Sequence, residues 1–71
     1  MSFSRIAGTI AAYKFIKLLS INFDEWEASK LGVIDSEGNV IKTIGLSPDQ
    51  KRSYTYFHRL VRNLKRMLEK I

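Results

Sequence analysis

The chain has no cysteine, so neither disulfides nor thiolate metal sites brace it. One histidine, His58, stands alone, without a second histidine to share a zinc ion and without a nominated nucleophile or orienting acid. Glycines are few and scattered, and none builds a phosphate-cradling loop. There is one proline, Pro48, and no apolar run long enough to span a bilayer, since Lys14 and Lys17 interrupt the apolar stretch from Ile6 to Leu19. The same lysines, with no small-residue cleavage site after Leu19, argue against a signal peptide. These absences point away from an enzyme, a cofactor or a metal. They favour the cytosol, or synthesis in a cytosol, as the location.

What remains is a single small domain, residues 1–71, with 45% hydrophobic residues and a net charge of +5. At this length the buried core is marginal, and unstapled domains of this size often lean on a partner. The charge is segregated. Residues 1–21 carry +3, residues 22–45 carry −3 and residues 46–71 carry +5. Such asymmetry suits an anionic partner or head-to-tail contact between copies.

The expected fold is mainly α: two shorter helices, a minimal β-hairpin and a long amphipathic C-terminal helix. The first helix covers about Ser4 to Ser20, capped by Ser4, with apolar residues on more than one face. The second runs from Phe23 to Leu31. Asn22 and Glu25 form its capping pair, acids crowd its first turns, and Gly32 ends it. In Val33–Ile41, β-branched pairs flank a turn around Gly38, which reads as a hairpin. Asp35, Glu37 and Asn39 alternate as in a calcium loop, but no bidentate acid completes the set. Ser47-Pro48-Asp49-Gln50 then opens a helix expected to run unbroken to Ile71. The expected core contains Ile10, Tyr13, Ile16, Leu19, Trp26, Leu31, Ile34, Val40, Phe57, Leu60, Val61, Leu64 and Leu68.

Two faces of the last helix carry the functional expectation. Tyr54, Phe57, Val61, Leu64, Leu68 and Ile71 recur at three- and four-residue steps, a seam that turns one side toward a partner. Phe57, Leu60, Val61, Leu64, Leu68 and Ile71, with Trp26, are therefore the expected protein interface. Opposite them, Arg52, Arg59, Arg62, Lys65, Arg66 and Lys70 form a basic stripe able to follow phosphates. No recognised DNA-binding module accompanies that stripe, so any nucleic-acid contact is expected to be non-specific. Attachment to a membrane surface ranks lowest, because the seam is aliphatic and the only tryptophan lies in the acidic helix.

Phe23-Asp24-Glu25-Trp26-Glu27-Ala28-Ser29-Lys30-Leu31-Gly32-Val33-Ile34-Asp35, followed by Gly38, precedes the basic leucine-rich stretch from Tyr54 to Leu68. This order of residue types resembles small virion-associated or head-assembly proteins of tailed bacteriophages, over about two-thirds of the chain. The resemblance implies a non-enzymatic, many-copy structural protein packed against capsid, portal or packaged DNA. Copies of itself or a larger viral assembly would be its partners, with DNA or RNA binding as the alternative function.

Overall fold

A computed structural model describes residues 3–71, with side chains described from residue 8 onward. The expected Ser4 cap and the Ile6 position fall outside the described side chains. The chain is mainly helical, with α1 (Phe3–Ser20), a 3-10 turn (Phe23–Glu25), α2 (Glu27–Lys30), α3 (Pro48–Ser53) and α4 (Tyr56–Glu69).

α1 ends where Ser20 turns its hydroxyl back to the Ile16 carbonyl at 2.7 Å and Asn22 becomes extended. The expected capping pair forms in part, the Asn22 N–H donating to Glu25 Oε2 at 3.3 Å. The second helix, however, is not continuous. Trp26 takes an extended conformation (φ −69°, ψ 142°) and divides it into the 3-10 turn and α2. The physical reason is the indole. At 1% exposure its N–H needs an acceptor, and it donates to the Leu18 carbonyl at 3.2 Å, in the last turn of α1, where carbonyls lack helical partners.

α2 closes as the sequence predicts, with Gly32 at φ +77° and the Val33 N–H donating back to the Ala28 carbonyl at 2.8 Å. The hairpin shrinks to one antiparallel bridge, Ile34 with Val40, and no strand forms among the described residues. Asp35 replaces the ladder. Its carboxylate accepts the Glu37 and Asn39 N–H groups, both at 2.9 Å, and the Asn39 side-chain amide at 3.2 Å. The Asn39 backbone bond, aided by the one from Glu37, by the Asn39 side chain and by the Arg66 charge, outweighs desolvation and holds the Asp35 pKa below the ordinary carboxylate value. Gly38 (φ +85°) lies buried beneath the Phe23 ring.

The expected rod from Ser47 to Ile71 is two helices. Ser47 opens α3 with the full capping box: the Gln50 N–H donates to Ser47 Oγ at 3.1 Å, and the Ser47 N–H to Gln50 Oε1 at 2.8 Å. Gln50 also donates its side-chain amide to the Leu31 carbonyl at 2.9 Å, tying α3 to the end of α2. The helix stops at Tyr54 (φ −140°, ψ 76°), and Thr55 caps a fresh start. Ser53, Tyr54 and Thr55 are weak helix formers, and Thr55 with His58 offers the backbone a second capping site. The break lets α3 remain on α2 while α4 seats Val61 in the core.

That core is small: Phe23, Trp26, Ala28, Val33, Ile34 and Val61, bordered by Phe15, Leu18, Leu19, Ile21, Leu46, Tyr54 and Phe57. Trp26, Ile34 and Val61 are buried as expected, while Leu19, Leu31, Phe57 and Leu64 are half-buried. Ile10, Tyr13, Ile16, Val40, Leu60 and Leu68 are exposed instead. For α1 the reason is rotation. Apolar on several faces, it is turned by the Trp26–Leu18 bond so that Phe15, Leu18 and Leu19 face inward and the Ile10–Tyr13–Ile16 side faces out.

A Cβ added at Gly38 would stand 2.8 Å from the Phe23 ring in a left-handed backbone, whereas at Gly45 (φ +69°) it would meet open space. In urea denaturation, Gly38→Ala should therefore cost about 3 kcal/mol and Gly45→Ala only about 1 kcal/mol, the difference being ring displacement.

Candidate functional site

α4 has three long sides with different work. Its inner side carries Val61 and, one turn on, Lys65. The Lys65 ammonium donates to the Leu19 carbonyl at 3.0 Å, lies 5.5 Å from the centre of the Phe23 ring and stands 3.7 Å from a Glu69 carboxylate oxygen. At 9% exposure it is not part of a phosphate-binding stripe, which corrects the expectation for this residue. Its ammonium satisfies a free carbonyl at the end of α1 while its stem packs on the core.

The second side carries the arginines. Arg62 Nε donates to the Gly38 carbonyl at 2.7 Å and its terminal nitrogen to Asn63 Oδ1 at 2.8 Å. Arg66 donates to Asn39 Oδ1 at 2.9 Å. Both cations thus clamp the Asp35–Asn39 turn onto α4. Arg52, in α3 and not in α4, pairs with Asp49 one turn earlier. Of the six basic residues singled out from sequence, Arg59 and Lys70 are exposed, and their side chains have no protein hydrogen-bond or ion-pair partner among the described residues.

The third side is apolar and open. Leu60 is 50% exposed and Met67 64%, with half-buried Leu64 between them and exposed Leu68 beside them, and Ile71 follows just past the helix end, 99% exposed. Of the expected interface residues, Val61 and Trp26 belong instead to the chain's own core, and Phe57 is half-buried against it. Met67, which with Leu60 widens the apolar seam in the sequence, lies on this open side as well.

An open groove of about 870 Å³ lies between α1, the Trp26 region, α3 and the start of α4. Lys14, Lys17, Lys30 and Arg52 line it against Glu25, Glu27 and Asp49, with Trp26, Phe57 and His58 among its apolar and aromatic walls. His58 Nδ1 accepts the Thr55 N–H at 3.2 Å and meets Thr55 Oγ1 at 2.8 Å, so the neutral ring carries its proton on Nε2. Its ring stands edge-on to Trp26, with centroids 6.2 Å apart. Desolvation, and then the Lys14 charge, push its pKa below the ordinary histidine value. Among the described residues no cluster of three or more potential metal ligands occurs, and no helix is long and apolar enough to cross a membrane. The chain matches no family model, no curated protein and no solved structure.

Because the folded His58 pKa is depressed, the unfolded chain takes up the proton first. The stability that neutral His58 contributes is complete above about pH 6.5 and is lost as pH falls toward the folded-state pKa. Replacing Lys14 with Gln should move the His58 titration, followed by imidazole proton NMR, back toward the ordinary value. His58→Gln should flatten the change in urea midpoint between about pH 7 and pH 5.

Proposed function

We propose that this chain is a non-enzymatic assembly protein that acts through helix-mediated protein contacts. The open apolar side of α4 is its contact surface, and a bacteriophage head or portal-associated assembly is its setting. The observation that carries this reading is the exposure of Leu60, Met67 and Leu68 on one flank of α4, a helix whose inner side packs on the core and whose Arg62 and Arg66 hold the Asp35–Asn39 turn. A small domain that leaves a continuous apolar flank uncovered gains by burying it against protein, at roughly 25 cal/mol for each Å² removed from water. The setting rests on the resemblance to virion-associated proteins.

The alternative, a non-specific nucleic-acid binder, draws on the same helix but has less to work with. Arg62, Lys65 and Arg66 spend their hydrogen bonds within the fold. Arg59 and Lys70 remain for phosphates, and two contacts give only a shallow salt dependence.

Leu60→Asp combined with Met67→Asp changes exposed positions, so the circular dichroism spectrum and urea midpoint should stay near those of the wild type. Co-sedimentation with assembled heads should fall at least about tenfold, because a charge then enters the contact. Arg59→Glu with Lys70→Glu should leave co-sedimentation intact. Unimpaired co-sedimentation of the aspartate variant would remove the proposal. Duplex retention at low salt that the glutamate variant abolishes would transfer the function to nucleic acid.

A further inference from the structure

The corner between α3 and α4 is held by an acceptor that a single proton removes. The Thr55 N–H donates to His58 Nδ1 at 3.2 Å, and Thr55 Oγ1 lies 2.8 Å from the same nitrogen. From Tyr54 through Val61 these are the only side-chain hydrogen bonds among the described residues. The ties on either side are of other kinds. Gln50 holds α3 to the Leu31 carbonyl, while Arg62, Lys65 and Arg66 hold the later turns of α4 to the Asp35–Asn39 turn and to α1. Histidine is the side chain whose ordinary titration falls between about pH 5 and pH 8, and none of those other ties contains one.

The same corner buries a polar atom with no partner, the Tyr54 hydroxyl. Desolvation pushes its pKa up, against the charges of Arg62 and Arg59. A buried hydroxyl left unbonded is costly, and an open corner returns it to water. The closed corner therefore stands on a balance, which the Thr55–His58 cap favours and Tyr54 opposes. Around the ring, Lys14 and Lys17 reach the groove from α1 and Lys30 from α2, and Arg59 follows on α4 itself. Glu25 and Glu27 face them from the Trp26 region, and Asp49 and Arg52 of α3 answer each other. Cations thus outnumber acids where a proton would arrive.

We infer that His58 is an acid-operated latch on the α3–α4 corner. When the ring takes up a proton, Nδ1 becomes a donor. The imidazolium can still donate to Thr55 Oγ1, but the Thr55 N–H loses its acceptor. A positive charge then also sits in the first turn of α4, at the positive end of the helix dipole. The corner opens, the Tyr54 hydroxyl bonds to water, and Phe57 moves off the wall of the groove. The rest of α4 stays in place, because Val61 remains in the core and Arg62 and Lys65 keep their carbonyls. The latch is independent of what covers the open side of α4.

Amide exchange of the full chain, read residue by residue by NMR and referred to the unstructured-chain rate at each pH, provides the test. Two amides report on the corner: Thr55, bonded to the ring, and Arg59, bonded to the Thr55 carbonyl at 3.0 Å. Between about pH 7.5 and about pH 5 their protection should fall about fivefold or more, the size of one lost cap. The fall should follow the imidazole titration in the same samples, while protection from Val61 to Lys65 holds. His58→Gln supplies an ordinary capping-box partner for Thr55, so that corner should stay shut at both pH values. Tyr54→Phe removes the unbonded hydroxyl and should move the fall to lower pH. Constant protection at Thr55 and Arg59 while the ring titrates overturns the latch, as does a ring that stays neutral down to about pH 5. Loss spread evenly along α4 overturns it too, because that is global unfolding, and so does a His58→Gln protein that opens like the wild type. A fall unmoved by Tyr54→Phe overturns the opposing part given to the hydroxyl.

Discussion

The buried indole of Trp26 sets the terms for the rest of the molecule. Its N–H must be satisfied, and the nearest free carbonyl is that of Leu18 at the end of α1. Making that bond pulls residue 26 out of helical geometry, divides the second helix and fixes the rotation of α1 about its axis. The Phe23 ring then lies 5.2 Å from the indole, centroid to centroid, and covers Gly38, while Val61 of α4 fills the same cluster. With six buried apolar side chains in the core among the described residues, each bears a larger share of stability than it would in a domain of ordinary size.

Charge plays an internal part here that net balance alone would not suggest. Arg62 and Arg66 fasten a turn that lacks a strand ladder, and the carboxylate of Asp35 organises that turn from inside. Lys65 closes α1 against α4 through a backbone carbonyl instead of an acid. Arg62 and Arg66, bonded to a carbonyl and an amide and only half-buried, stay partly solvated and so avoid the desolvation penalty of a buried ion pair while still holding the turn in place.

Local signals in the sequence were dependable wherever a few neighbouring residues decide the conformation. Ser47-Pro48-Asp49-Gln50 opens α3, and Gly32 ends α2, because capping and left-handed backbone are settled within a few positions. The helical class was legible for the same reason. Orientation was not. α1 is apolar on several sides, so periodicity ranks none of them, and the contact that decides lies at Trp26, outside the helix. The split at Tyr54–Thr55 was hidden because the apolar spacing continues across it, while the competing cap uses a histidine, an unusual residue for the third position. Lys65 looked like a surface cation because its charge said more than its place one turn after Val61. The open flank of α4 was visible as part of the seam, but which seam residues turn inward depends on where the turn and α1 dock.

The Lys65–Leu19 bond joins positions 46 residues apart, whereas the Trp26–Leu18 bond spans only eight. Chain closure of the shorter loop is fast and needs nothing synthesised later. During translation α1 can thus meet Trp26 early, yet its last carbonyls wait for a lysine that leaves the ribosome more than forty residues afterwards. Throughout that interval the outward-facing Ile10, Tyr13 and Ile16 sit on an incompletely anchored helix. Until α4 arrives, the inward-facing Phe15, Leu18 and Leu19 also lack part of the cover they have in the folded chain, and the nascent chain is then most exposed to association with its neighbours.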